Sequence, residues 1–450
     1  MKKYLALVLG MLFVLGFTAS AFAIHSEIPS ETQAVVAKGE TQVTLGGEIR
    51  VRGWYLTNVD ATRRATSLPA DSQPQGWYDQ RVRLNLTAAV SKNTTGYVAL
   101  ETGNITAGPS GSTDVYTWGT LNNKLNTNIS ILEAWILHKG SGLGIPTGLK
   151  IGHMPLALSE KQFLDHTKFG DDAIVFFMDP TKELHIGVLT TKFSEGSTAT
   201  NSYGDTNGYV ALMTYKITPG ITAGINFAHV TADAQDFGFQ NLGLHSNGSV
   251  AGVSYNFEFD QQFGKSSPTA KYKGWGLLLG AGYNVNPVTI RAQFAQGSGD
   301  KVGTVDKNEE FQTTMNNDVH YTQIYEYTVT TAARAQTVHG ARDRATGIAN
   351  TTYYRLGVDV SPMKDLSASV DMFILRATKV ATGSKKIGTE YDLKLAYKID
   401  KNLTYSVMAG YLDTQKAFED GNSSGSTGTA IAVNQNKNVT QLMHALTLSF

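Results

Sequence analysis

The chain has 450 residues with 38 basic and 38 acidic side chains, so its formal net charge is zero. This balance excludes a general electrostatic attraction to nucleic acid. The chain has no cysteine, which excludes disulfides, cysteine-ligated metals and haem attached through C-x-x-C-H. Its aromatic content of 10% argues against disorder, because disordered chains contain few aromatic residues. We therefore expect a folded protein with no nucleic-acid partner and no cofactor.

The first 23 residues have the features of a secretory signal peptide. Lys2 and Lys3 form a basic start, residues 4–17 are apolar, and Ala21-Phe22-Ala23 fits a cleavage site. The apolar stretch is short for a membrane helix, and no later stretch reaches the ~18 apolar residues that such a helix needs. The sequence thus predicts an exported chain. Its mature part begins with a polar arm at 24–41, which contains a candidate short helix at 30–37.

From residue 42 onwards, apolar and polar residues alternate, as in strands that have one apolar face. The alternation predicts 18 strands. Two of them, 173–178 and 237–245, are weak, and without them the count is 16. Short turns alternate with long polar connections. An even number of strands lets the first strand, at 42–56, pair with the last, at 438–450, so that the sheet closes on itself.

This pattern fits either a soluble periplasmic β domain or a transmembrane antiparallel β-barrel over residues 42–450. Many strands of about ten residues, with short turns at one end only, favour the barrel. Aromatic residues near the strand ends also favour it, because such residues form girdles at the membrane surface. These residues are Tyr55, Tyr78, Tyr283, Tyr397, Tyr405 and Tyr411. We therefore predict an all-β barrel with short periplasmic turns and long external loops.

Two stretches, LEAWI at 132–136 and GLKIGHMPL at 148–156, resemble the strand pair before the third external loop of general and phosphate-selective-type porins. The amphipathic strands and the final Phe450 strengthen the resemblance to this Gram-negative outer-membrane family. It implies a third loop, at 155–172, that enters the barrel, and a trimer. It also implies that Phe450 is part of the signal read by the barrel-assembly machinery.

The sequence departs from typical trimeric porins at two points. Such porins have 16 strands, whereas the count here is 18. The connection at 297–350 is long for a loop and contains a β-like run at 319–329. This connection has three interpretations: a folded external cap, a second insert in the barrel interior, or two further strands that the pattern assigns wrongly.

Four arginines share the polar face of two adjacent predicted strands: Arg50, Arg52, Arg81 and Arg83. Guanidinium groups stay charged at any working pH, so these residues form a fixed positive wall that Glu48 and Asp79 partly neutralise. The predicted third loop faces this wall with four acidic residues, Glu160, Asp165, Asp171 and Asp172. The sequence predicts either a pore constriction with a transverse field or ordinary charges that pair with one another.

Other charges fall on the same polar faces and are of mixed sign. They are Glu101, Lys150, Arg291, Arg355, Asp359, Glu390, Asp392 and Lys394. This mixture predicts no strong selectivity for either sign of ion, while the arginines favour anions weakly. Glu133 cannot be assigned to a face, because both faces of its strand carry apolar residues.

No catalytic motif has its required context. Residues 421–425 match G-x-S-x-G in letters, but they lie in a polar loop rather than in a strand–turn–helix. We therefore expect no enzyme. The sequence predicts a porin that lets small hydrophilic solutes and ions diffuse across the outer membrane of a Gram-negative bacterium. Two alternatives stay open: a barrel that sheathes a partner such as an electron-transfer cytochrome, and a barrel enzyme.

Overall fold

The computed structural model describes residues 34–38, 41–58, 74–103, 115–119, 128–196, 204–232, 237–301, 303–313, 321–326, 347–380, 383–420 and 437–450. The predicted signal peptide, most of the N-terminal arm and the G-x-S-x-G match lie outside these residues and stay predictions. Within the described residues, no helix has the length and hydropathy needed to cross a bilayer.

The described residues form 22 strands and one short helix. The first eleven strands are β1 (Ala34–Lys38), β2 (Thr41–Thr57), β3 (Gln75–Ser91), β4 (Thr94–Gly103), β5 (Tyr116–Thr117), β6 (Asn128–Gly142), β7 (Ile145–Met154), β8 (Asp171–Met178), β9 (Leu184–Ser194), β10 (Thr206–Thr218) and β11 (Ile221–Ala232). The remaining elements are β12 (Phe237–Val250), β13 (Val253–Lys265), β14 (Lys271–Tyr272), β15 (Trp275–Val285), β16 (Val288–Gly297), β17 (Lys307–Asn308), β18 (Thr351–Met363), β19 (Leu366–Ala377), β20 (Lys386–Asp400), β21 (Leu403–Thr414), α1 (Lys416–Asp420) and β22 (Val439–Ser449).

Eighteen of these strands form one closed antiparallel barrel, which confirms the predicted fold class. Each wall strand pairs with the next wall strand along the chain, and the short strands β5, β14 and β17 lie beyond the wall pairs. The last wall strand, β22, closes the barrel by pairing with β2, from Glu48 opposite Ser449 to Thr57 opposite Thr440. The alternative of 16 strands is wrong, because both weak strands form as β8 and β12.

The short strand β1 lies at the seam where the barrel closes. It folds back on β2, with Ala34 opposite Leu45 and Lys38 opposite Thr41. The helix expected at 30–37 is therefore wrong for its described part. Because β22 pairs with β2 only from Glu48 onwards, β1 supplies hydrogen bonds to the part of that edge that β22 does not reach.

The hairpin between β12 and β13 turns later than the sequence predicts. The polar run at 246–248 reads as a turn but continues β12, and the actual turn is Ala251-Gly252. Both residues have positive φ, 52° and 82°, as a two-residue hairpin turn of this type requires. Glycine supplies the second conformation without strain.

The outer and inner faces of the wall have opposite character. All six tyrosines predicted near strand ends are exposed on the outer face. Tyr283, Tyr397 and Tyr405 lie near the short turns, while Tyr55, Tyr78 and Tyr411 lie near the long loops. The inner face instead carries buried charged residues, among them Asp79, Asp359 and Glu390. An apolar exterior with a polar interior is the arrangement of a barrel that stands in lipid.

Candidate functional site

The four predicted arginines lie side by side on the inner face of β2 and β3. Arg50 is directly opposite Arg81, Glu48 is opposite Arg83, and Arg52 is opposite Asp79. These side chains point inward, because Ile49 and Tyr55, which have the opposite parity on β2, are exposed on the outside. We call this group, with Asp79 and Glu48, the arginine wall.

Arg81, Arg52 and Arg83 each form an ion pair with a carboxylate. Arg81 binds Glu48 through Nε at 2.8 Å and Nη2 at 2.6 Å. Arg52 binds Asp79 through Nε at 2.7 Å and Nη2 at 3.1 Å, and Arg83 binds Glu101. Counted together with Glu101, the arginine wall holds four arginines and three carboxylates, which gives a formal net charge of +1. The wall is thus a strongly polar strip with a small excess of positive charge.

Aromatic rings lie next to the arginine wall, on β2 and β3 themselves and on the neighbouring strands β4 and β6. Trp54 donates from Nε1 to Asp79 at 2.6 Å, stacks on Trp77 at 5.8 Å and lies under the Arg52 guanidinium at 4.9 Å. On β6, Trp135 stacks on Tyr97 at 5.0 Å. Indole and phenol rings with polar edges suit a surface that meets both water and solutes.

A bulge in β6 explains why the face of Glu133 is ambiguous in the sequence. The register shifts so that Ala99 opposes Glu133 but Leu100 opposes Ile131, which leaves Leu132 as the extra residue. The shift turns both Ile131 and Ile136 outward, although they differ in parity. Glu133 is therefore buried inside. It accepts a hydrogen bond from Trp135 at 3.0 Å.

The remaining predicted charges also lie on inner faces. Arg291 on β16 makes a bidentate pair with Asp359 on β18, with both distances 2.5 Å. Arg355 pairs with Asp371 on β19 at 2.8 and 2.9 Å. Asp371 was not among the predicted site residues, although its parity signal is the same. The others are Lys150, whose Nζ lies 4.0 Å from the Trp135 ring centre, and Glu390, Asp392 and Lys394 on β20.

The segment 155–170, between β7 and β8, packs against the inner face of β11, β12 and β13. Ser159 accepts a hydrogen bond from Asn226 at 2.7 Å and contacts His245 Nδ1 at 2.9 Å. Phe163 packs on Phe239, with ring centres 5.7 Å apart. Its four buried apolar side chains are Leu156, Leu158, Phe163 and Leu164. They pack in one hydrophobic cluster with inward residues of the barrel strands, among them Val230 and Phe239, which fixes the segment inside the barrel.

The acidic residues of this segment bind other partners than the sequence predicts. Glu160 accepts hydrogen bonds from Asn247 at 3.2 Å and Asn256 at 3.1 Å, on β12 and β13. Asp165 accepts from Thr167 at 2.6 Å, and Asp171 lies 2.6 Å from the ring of His166. These contacts hold the segment in its own fold and attach it to β12 and β13 rather than to the arginine wall.

The prediction that Asp172 lines the pore is wrong. Asp172 lies on the outer face of β8, where its neighbours of the same parity, Ile174 and Phe176, are exposed. Its carboxylate lies 2.9 Å from the ring of His153. Because β8 already begins at Asp171, the alternation of the strand sends the next side chain outward.

The segment 321–326, from the long connection between β16 and β18, also packs inside the barrel. All six residues are buried. Tyr321 stacks on Tyr353 of β18 at 4.6 Å, and the backbone of Gln323, Ile324 and Tyr325 donates to Asp392 and Glu390 of β20. Of the three interpretations of 297–350, this placement favours a second insert. The described residues are turns and bends rather than the expected β-like run.

Sequence reasoning missed a buried polar cluster where segment 155–170 meets the wall. Asn241 donates to Asp260 at 2.7 Å, and Glu258 accepts from the backbone of Gln162 at 3.3 Å. The alternation in Glu258-Phe259-Asp260 carries this signal, because it places both carboxylates on the inward face of β13. Among the residues that the structure describes, no group of three or more His, Asp or Glu side chains is placed to hold a metal ion.

No protein-family model and no curated protein matches this sequence. Solved structures do match. Pseudomonas aeruginosa OccK5 (OpdH) is 13% identical with a TM-score of 0.52, over 90% of this chain and 98% of OccK5. OpdL from the same organism is 10% identical with a TM-score of 0.54, over 91% and 98%.

OpdK from Pseudomonas aeruginosa, in a crystal structure with vanillate, is 12% identical with a TM-score of 0.53, over 90% of this chain and 99% of OpdK. These neighbours are outer-membrane porins of the Occ/Opd kind. The narrower resemblance to general and phosphate-selective-type porins stays a prediction. At such low identity the likeness concerns the fold, and this chain therefore has the fold of the 18-strand outer-membrane porins.

Proposed function

We propose that this protein is a passive channel in the outer membrane of a Gram-negative bacterium, through which small hydrophilic solutes and ions diffuse. The observation that carries the proposal is the inverted distribution of side chains. Apolar residues cover the outside of a closed barrel, and ion-paired charges line its inside. A soluble protein would bury the apolar face instead, whereas this arrangement supports a water-filled interior.

Size selection comes from the two segments inside the barrel. Segment 155–170 occupies the side of β11–β13, and segment 321–326 the side of β18–β21. The arginine wall lies on β2 and β3, which belong to neither docking site. Solutes therefore pass between the two segments and the arginine wall. The small excess of positive charge on that wall gives a weak preference for anions.

Vanillate is a suitable first solute for tests, because OpdK has been crystallised with it. A carboxylate can pair with the arginine wall, and a ring can stack on the partly exposed Trp77. The trimer and recognition of Phe450 by the barrel-assembly machinery belong to the same proposal. They are tested by the mass of the purified protein in detergent and by the membrane insertion of Phe450→Ser.

The alternative of a sheath around a cytochrome is less well supported, because two segments of the chain itself pack inside the barrel. A barrel enzyme has no observation in its favour among the described residues.

The decisive experiment is ion conductance of the purified protein in a planar lipid bilayer, together with the size of polyethylene glycol that the pore excludes. We expect discrete conductance steps with slight anion preference in a potassium chloride gradient. Complete lack of conductance in correctly folded protein would overturn the proposal. Co-purification of a haem protein with a non-conducting barrel would instead support the sheath.

A further inference from the structure

Glu390 holds the backbone of a segment that belongs to a different part of the chain. Its Oε1 accepts the backbone N–H of Ile324 at 2.6 Å, and its Oε2 accepts that of Tyr325 at 2.9 Å. Asp392, two residues along β20, accepts the N–H of Gln323 at 3.2 Å. Three consecutive backbone N–H groups thus donate to one pair of carboxylates, in the way that successive amides of a turn bind an anion.

The neighbouring strand β21 completes the docking site with a glycine. A side chain at Gly410 would come within 2.9 Å of Ile324 Cγ1 and 3.1 Å of the Asp392 carboxylate. The Ile324 side chain therefore sits on Gly410, directly beside the carboxylates that bind its backbone. The carboxylates that accept the backbone hydrogen bonds and the glycine that makes room for Ile324 therefore favour the same position of segment 321–326.

The same spacing of residues recurs where the other segment docks. Glu258-Phe259-Asp260 on β13 and Glu390-Tyr391-Asp392 on β20 both carry an inward carboxylate pair, separated by an aromatic residue. Glu258 accepts the backbone N–H of Gln162 in segment 155–170. Both segments are thus held by backbone donors on a Glu-aromatic-Asp pair, which argues for a common docking role.

We propose that Glu390, with Asp392, is a positioning residue that fixes segment 321–326 inside the barrel and thereby sets the width of the pore along β18–β21. Glu390 does not meet permeating ions directly, because its side chain is fully buried beneath segment 321–326. This inference rests on the proposed function only in its conductance test. The position of the segment can be tested separately.

The first test replaces the carboxylates and measures pore size with uncharged polymers, which do not respond to charge. Glu390→Gln keeps the volume but weakens charge-assisted hydrogen bonds, and each such loss raises the undocked population about tenfold. We expect both Glu390→Gln and Gly410→Ala to admit larger polyethylene glycols than the wild-type protein. Glu133→Gln, which removes another buried inward carboxylate, on β6, is the matched control and should leave the excluded size unchanged.

A reversible cross-link provides the second test, because the chain has no native cysteine. The Cβ position at Gly410 lies 2.9 Å from Ile324 Cγ1, which brings the two Cβ atoms within the ~3.5–4.5 Å range of a disulfide. We expect Ile324→Cys/Gly410→Cys to form the bond on oxidation. In the Glu390→Gln background, oxidation should restore the wild-type excluded size and reduction should release it.

The outcomes separate the two proposals. If the wild-type barrel does not conduct but the cross-link forms, the channel function fails and the docking stands. If the folded double-cysteine variant does not cross-link, or Glu390→Gln and Gly410→Ala both keep the wild-type excluded size, the positioning role is overturned. Because cross-linking is read by mass spectrometry, it gives a result even when a carboxylate variant folds poorly.

Discussion

The imidazole of His444 on β22 lies directly over Gly53 on β2, at the seam that closes the barrel. The two residues are opposite each other in the register, and the Nε2 atom of His444 occupies the space that a Cβ at Gly53 would need. Tyr78 meets the ring edge-on at 5.7 Å, and Tyr405 lies 6.0 Å away on the other side. His444 lies among outward-facing leucines, but its ring packs between two tyrosines and against the backbone of Gly53.

Because of this contact, Gly53→Ala should weaken the closing seam. The added methyl group would strike His444 and come within 2.8 Å of Tyr78 Cε1, and overpacking of this kind costs about 1–3 kcal/mol. We expect a lower urea midpoint for unfolding in detergent, read from the gel-mobility difference between folded and unfolded barrel.

Gly96→Ala is the control, because nothing lies within 4 Å of a Cβ at that position on β4. The double variant Gly53→Ala/His444→Ala should recover most of the loss. If Gly53→Ala matched the wild-type midpoint, the tight fit at the seam would be disproved.

The strands of the barrel can be predicted from the sequence, whereas the positions of the segments inside the barrel cannot. The number of strands and the direction of their faces follow from the two-residue period, which each strand shows by itself. Even the two weakly predicted strands are present in the structure, as β8 and β12. The period fails where an extra residue enters, as at Leu132, and it places a turn wrongly where a strand end is polar, as at 246–248. Docking of Gln162 on Glu258 joins residues far apart in the chain, so no local pattern reports it.

Gly152 on β7 should tolerate no side chain, for reasons of both conformation and space. Its φ is 132°, a value that L side chains rarely adopt, and a Cβ would come within 2.8 Å of the Trp135 backbone. Gly152→Ala should therefore destabilise the barrel by about 2 kcal/mol or more. Unfolding in urea measures the loss.

A suitable comparison for Gly152→Ala is Gly142→Ala on β6, where the nearest atom to a Cβ is 3.7 Å away. It should unfold at nearly the wild-type urea concentration. Equal midpoints for the two alanine variants would contradict the strained conformation at Gly152.

The pair of Arg291 and Asp359 should matter more for stability than any charge at the rim. Asp359 is 1% exposed and receives two hydrogen bonds of 2.5 Å from the guanidinium. Asp359→Asn leaves a largely buried arginine with only its longer contact to Asp371, at 3.1 Å. Removing one partner of a buried pair costs about 3 kcal/mol, which should appear as a lower urea midpoint.

Glu183→Gln, at an exposed position between β8 and β9, removes the same charge without breaking such a pair. It should change the midpoint by no more than about 0.5 kcal/mol in free energy. Loss of stability in both variants to the same extent would show that net charge, and not the ion pair, is responsible.

The pairing of Arg81 with Glu48 predicts how the selectivity of the pore responds to substitution. Arg81→Gln removes one positive charge from the arginine wall and leaves the Glu48 carboxylate without its 2.6 Å partner, so the reversal potential in a potassium chloride gradient should move towards cations. Glu48→Gln should move it towards anions. The double variant keeps the net charge of the wall and should lie close to the wild-type value. A double variant that shifts as far as Arg81→Gln alone would mean that the guanidinium acts on permeating ions independently of its partner.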